Sequence, residues 1–142
     1  MRKPFDKQLF NDNDTVAKNK VKELFGSILK IVDNPKRYGV DLLVFNDSDE
    51  HIFNIETEIK RVWTGDFPYT TVQFPERKKK FCTLDKPTYF VMFNSDLTQY
   101  LVVKSQDMLE SPLGVVPNKY VRYGEQFYQI PLDKVLFNRF EQ

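Results

Sequence analysis

From Tyr38 to Trp63 the chain reads YGVDLLVFNDSDEHIFNIETEIKRVW, two largely apolar runs separated by an acidic turn. Strand side chains alternate between faces, so a pair of strands here sorts its residues by parity. Phe53, Ile55, Thr57 and Ile59 share a face apolar enough to pack on a core. Asn54, Glu56, Glu58 and Lys60 share the other face, beside a first strand that carries Asp41. Carboxylates and an ammonium gathered in this way can hold a divalent metal. A strand face that simply meets water accounts for the same residues.

The rest of the composition narrows the class. In 142 residues, 41% hydrophobic and 15% aromatic residues suffice for one domain with a real core, spanning 1–142. No segment repeats at a fixed period. No apolar run approaches the ~18 residues of a membrane span, and MRKPFDKQLF lacks the apolar core of a signal peptide. The expectation is a soluble intracellular protein with no membrane partner, cytoplasmic, in the host cell if a phage encodes it. One Cys and one His exclude the usual zinc sites, and a Cys/His pair requires His51 and Cys82 to meet. Net charge is +1, too little to draw the whole molecule to a polyanion. Charge is segregated, however: Asp41 to Glu58 holds six acids and no Lys or Arg, and Lys60 to Lys86 holds seven bases and three acids. An acidic pocket beside a basic strip suits metal in one and phosphate in the other, and chance segregation on a wet surface yields it too.

Taken in order, Asp14 or Thr15 to about Val32 reads as an amphipathic helix, with Ala17, Val21, Leu24, Phe25, Ile28 and Ile31 on one side and Glu23 roughly opposite. A helix-borne Glu23 can join a metal site as an accessory ligand or can face water. Asn34-Pro35 ends that helix. Gly39 to Phe45 and His51 to Val62 are the paired strands, with His51 solvated at the hairpin mouth. WTGDFPYTTVQF, residues 63 to 74, is a loop with aromatic anchors, and PERKKKF begins as helices do. TYFVMF (88–93) is a strand buried on both faces, and QYLVVK (99–104) pairs with it through the Asn94 to Leu97 turn. Then come Tyr120 to Tyr123, a Gly124-Glu125 turn, Gln126 to Ile130 and Leu132 to Phe137. Tyr120, Tyr123, Phe127 and Tyr128 are either a base-stacking platform or ordinary cross-strand pairs.

Phosphodiester hydrolysis with Mg²⁺ needs two or three carboxylates, a cation near the water and an open face for phosphate. Asp41, Glu58 and Lys60 supply these types, with Glu58 and Lys60 on one strand face. Lys60 beside carboxylates stays protonated, which suits it to orient water and offset charge. Glu56 leaves an alternative, in which Glu56 and Glu58 are the metal pair and Lys60 is an extra.

A helix, a strand with Gly39-Val40-Asp41 followed by Leu42, Leu43 and Val44, then a strand ending Glu58-Ile59-Lys60, resembles the PD-(D/E)XK nuclease superfamily. That is the restriction-endonuclease-like fold. Val40 stands at the motif's nominal proline, a frequent departure. The resemblance implies a mixed α/β fold with a central mixed sheet flanked by helices. Its αβββαβ core would cover 14–93, with PERKKKF and TYFVMF as the last helix and strand and 98–142 as a β-rich C-terminal extension. It implies Asp41, Glu58 and Lys60 as catalytic residues, and Asp41, Glu58 and Glu56 around Mg²⁺ or Mn²⁺.

The function expected is a metal-dependent endonuclease that hydrolyses DNA phosphodiester bonds. Arg61 with Arg77, Lys78, Lys79 and Lys80 would grip backbone phosphates, though a solvated helix face fits the run of bases as well. With one site per chain, cutting both strands needs a homodimer or higher oligomer. The alternative is a non-catalytic nucleic-acid- or protein-binding module on the same fold, and RNA as the substrate is a third reading.

Overall fold

The computed structural model describes residues 7–36, 39–118 and 121–140. Helix α1 (Lys7–Phe25) is followed by strands β1 (Lys30–Asp33), β2 (Leu42–Phe45), β3 (His51–Ile59) and β4 (Thr71–Pro75). A 3-10 turn, Glu76–Phe81, leads to β5 (Thr88–Phe93), β6 (Gln99–Lys104) and a short helix α2 (Ser105–Leu109). The chain ends with β7 (Leu113–Asn118), β8 (Val121–Pro131), a second 3-10 turn (Leu132–Lys134) and β9 (Leu136–Arg139).

The main sheet runs β1-β2-β3-β5-β6-β9, with β3 and β5 parallel and every other pair antiparallel. A second antiparallel sheet runs β4-β8-β7. The fold is thus mixed α/β around a central mixed sheet. Period-two burial distributes its side chains cleanly. Leu42, Val44, Ile55, Val91, Phe93 and Tyr100 face α1, where Ala17 and Val21 meet them. Phe90, Met92, Leu101 and Val103 face the other way, against Val72 and Phe74 of β4 and Tyr128 and Ile130 of β8. TYFVMF is continuously apolar because both of its faces are covered. Among the described residues no helix is long and apolar enough to cross a membrane.

Several boundaries differ from expectation. The helix covers 7–25 and not 14–32, because Gly26 closes it: Gly26 N–H donates to Lys22 O at 2.8 Å, and a Cβ there would lie 2.3 Å from that same oxygen. Leu29 and Ile31 still pack on the α1 side of the core, but Ile31 does so from β1, and Ile28 is exposed. Strand β4 lies inside the expected aromatic loop, and α2 was not anticipated. Gly124 and Glu125 are strand residues of β8, not a turn, and β7 pairs with β8 as far as Asn118 and Val121. The segment after Leu97 is built into the body of the fold: β6 and β9 extend the main sheet, and β8 pairs with β4.

Candidate carboxylate site

On the Asn54, Glu56 and Glu58 face of β3, Asn54 and Glu56 do not meet open water, and Glu58 meets it only in part. The face looks toward the second sheet, and Glu56 is only 6% exposed. Phe90 and Met92 of β5 sit beside Glu56 and Glu58 in the parallel register. The reading of this face as solvent-exposed is therefore corrected.

Asp41 stands just before β2, across from Glu56. The two carboxylates hold each other's strands: Thr57 N–H donates to Asp41 Oδ2 at 2.8 Å, and Asp41 N–H donates to Glu56 Oε1 at 2.9 Å. The Thr57 hydroxyl adds a 3.2 Å bond to the same Asp41 oxygen. The other oxygen of Glu56 takes Lys78 Nζ at 3.1 Å, and Lys78 arrives from the 3-10 turn after β4. Glu58 is half-buried and makes no hydrogen bond or ion pair among the described residues. A crevice of about 10 Å³, near the lower limit for one water, lies between Glu56, Glu58, Lys78, Phe74 and Phe90.

Burial dominates the electrostatics. It pushes the Glu56 carboxyl up to about 7, the charge of Asp41 pushes the same way, and Lys78 opposes both. Glu58 is also raised by burial, with Lys78, Lys60 and Arg77 pulling it back down and Asp41 pushing it further up. A carboxyl raised in the folded state favours folding while it is protonated. That stabilisation is present below the ordinary value of 4.5 and is lost as pH rises through about 7. For Glu56 the span corresponds to roughly 3 kcal/mol. Urea unfolding at pH 5 and pH 8 should show stability falling with pH, and Glu56→Gln should remove most of that slope.

Lys60 follows β3 directly and extends the ladder through its N–H to Phe93 O at 2.8 Å. Its ammonium makes no ion pair among the described residues and stands 5.3 Å from the centroid of the Tyr69 ring. Arg77, Lys79 and Lys80 are exposed, Arg77 with Glu125 at 3.4 Å. Arg61 is exposed in the turn after β3. Lys78 points inward and is not part of that strip. Glu23 lies on exposed α1 surface with Lys20 at 3.5 Å, on the opposite side of the sheet from the carboxylates. His51 and Cys82 do not meet: His51 Nε2 bonds Asn54 Oδ1 at 2.7 Å, and the Cys82 thiol sits against Met108 sulfur. Of the aromatics considered for stacking, Tyr128 is buried, Phe127 is half-buried, and the side chains of Tyr120 and Tyr123 lie outside the described set.

No protein-family model matches the chain, and no curated protein is significantly similar to it. The site has to be read from its own chemistry. Among the described residues no three Asp, Glu, His or Cys side chains stand together as a metal-holding group. In kind, the donors present suit a hard cation: carboxylate oxygens from Asp41, Glu56 and Glu58, with Glu58 uncommitted. In arrangement, Lys78 takes the position beside Glu56 that a cation would share.

Lys78 is the site residue that the sequence reading placed elsewhere. A run of four bases gives no sign of which one turns inward. The only local hint is Phe81, buried at the end of the same 3-10 turn, which ties that segment down.

Proposed function

We propose that this chain is a divalent-metal-dependent endonuclease of the PD-(D/E)XK kind, hydrolysing DNA phosphodiester bonds. The observation that carries the reading is Glu58, a half-buried carboxylate that makes no hydrogen bond or ion pair among the described residues, beside Glu56 and Lys78 and within reach of the charges of Asp41 and Lys60. The order of elements supports it in part: α1, β1, β2 and β3 follow the helix and three strands of that core, and β4 is then inserted before the 3-10 turn and β5. The short turn stands where the second helix would be, and β4 and β8 cover the face beside it.

Asp41 and Glu58, with Glu56 alongside, would hold Mg²⁺ or Mn²⁺, which when bound supplies Lewis acidity and a more acidic water. Lys60 would orient a water and offset charge on the phosphate. Arg61, Arg77, Lys79 and Lys80 are the exposed cations placed for backbone phosphates, so affinity should fall steeply with salt. A homodimer would be needed to cut both strands.

A second reading, a non-catalytic nucleic-acid- or protein-binding module, is favoured by one feature. The Lys78–Glu56 pair already neutralises a buried carboxylate without metal. The test is incubation with supercoiled, linear, branched and single-stranded DNA, and with RNA, in Mg²⁺, Mn²⁺ or EDTA. Cleavage is expected with metal only, and Lys60→Ala should slow it by about 10²-fold or more. Wild-type protein that cuts none of these with either metal sinks the endonuclease reading.

A further inference from the structure

The loop after β3 builds an aromatic surface beside Lys60. Trp63 is fully buried, and its indole N–H donates to Gly65 O at 3.1 Å. Phe67 meets Trp63 edge-on with ring centroids 5.1 Å apart. Tyr69 and Phe137 flank Phe67, at 5.7 and 5.5 Å, and are 45% and 41% exposed. The loop is pinned to the β5–β6 turn: Ser95 N–H donates to Trp63 O at 2.9 Å, and Gln99 Nε2 donates to Gly65 O at 2.8 Å. Cations bracket the rings. Lys60 lies over Tyr69, and Arg139 is held at the Phe137 end by Asp66 at 3.0 Å.

Single exposed aromatics need no explanation. Here two lie on either side of a third, on a tied-down scaffold with a positive group at each end, which is how sequence-tolerant single-strand sites are made. We propose that Tyr69 and Phe137 form a base-stacking platform for single-stranded nucleic acid entering at the Lys60 end of the carboxylate face. Unpaired bases stack on the rings, while the phosphates beside them meet Lys60 and Arg139. Duplex, whose bases are already stacked on one another, gains nothing from the rings. This assignment rests on the endonuclease reading and names its substrate class: strands, flaps or branches with unpaired bases next to the bond that is cut.

The test is fluorescence anisotropy in EDTA with labelled oligo(dT), oligo(rU) and a blunt DNA duplex. Wild type should bind the single strands more tightly than the duplex. Tyr69→Ala should weaken single-strand binding by roughly 5- to 100-fold, as loss of one stacked base does, with duplex binding unchanged. Phe137→Ala should act in the same direction, and Tyr69→Phe should stay near wild type because the ring remains. Single-strand binding that survives both alanine variants overturns the platform. So does a wild type that binds no oligonucleotide, which would leave the patch to a protein partner. Because binding is read without metal, the two ideas fail separately. Tyr69-dependent binding without cleavage overturns only the enzyme, and cleavage with Tyr69-independent binding overturns only the platform.

Discussion

At pH 8, Lys78→Met is expected to be less stable than wild type by about 3 kcal/mol, the cost typical of stranding one partner of a buried ion pair. Methionine keeps an apolar side chain of similar reach and removes the ammonium, which stands 5.5 Å from the centroid of the Phe81 ring. Glu56 is then a buried carboxylate beside Asp41 with no cation at its second oxygen. Its only relief is to take up a proton, and this gives the prediction its pH signature. In wild type Glu56 is already largely protonated below about 7, so at pH 5.5 Lys78 has little charge to neutralise. The deficit should shrink there to about 1 kcal/mol or less. The double variant Lys78→Met with Glu56→Gln should recover most of the loss at pH 8, since neither charge remains and Gln can still accept from Asp41 N–H. Urea titrations of the four proteins at the two pH values make the measurement. A deficit equal at both pH values would assign Lys78 to packing and not to Glu56.

The parts legible in the sequence are those set by local pattern. β5 and β6 begin and end where the TYFVMF and QYLVVK runs do, and β5 is apolar throughout because both of its faces are covered. The parity of β3 was legible too, and with it the placing of Glu56 and Glu58 on the face opposite Ile55 and Ile59. What escaped is non-local. Ile28 to Val32 continue the helical spacing of α1, and only Gly26 marks the break that frees them to form an edge strand. The β4 residues alternate correctly, but their partner is β8, more than fifty residues on. That pairing raises the second sheet over the β3 carboxylates and turns what looked like a wet face into a crevice. Lys78 and Tyr69 enter the site by the same route. Each is delivered by a segment whose placement depends on long-range packing, so the two lysines near Glu58 have opposite settings: Lys78 neutralises a carboxylate, and Lys60 is left beside an exposed ring.

Asp41 carries two roles that substitution can separate. Its carboxylate accepts from Thr57 N–H, which ends the β2–β3 ladder, and it is the first proposed metal ligand. Asp41→Asn keeps an oxygen for Thr57 but surrenders the charge a divalent cation requires. Its stability should stay within about 1 kcal/mol of wild type, while cleavage falls by about 10³-fold, the worth of several kcal/mol of Lewis-acid assistance. Asp41→Ala should lose cleavage equally and a further 1–3 kcal/mol or so of stability, because the Thr57 N–H is left without that acceptor. Glu58→Gln should match Asp41→Asn in cleavage without any cost in stability, since Glu58 bonds to nothing among the described residues. Unfolding curves beside cleavage rates make the comparison. An Asp41→Asn protein that cuts at the wild-type rate would remove Asp41 from the metal set and leave Glu56 and Glu58 as the pair. Metal would then have to displace Lys78 from Glu56, and Lys78→Met should cut faster than wild type, not slower.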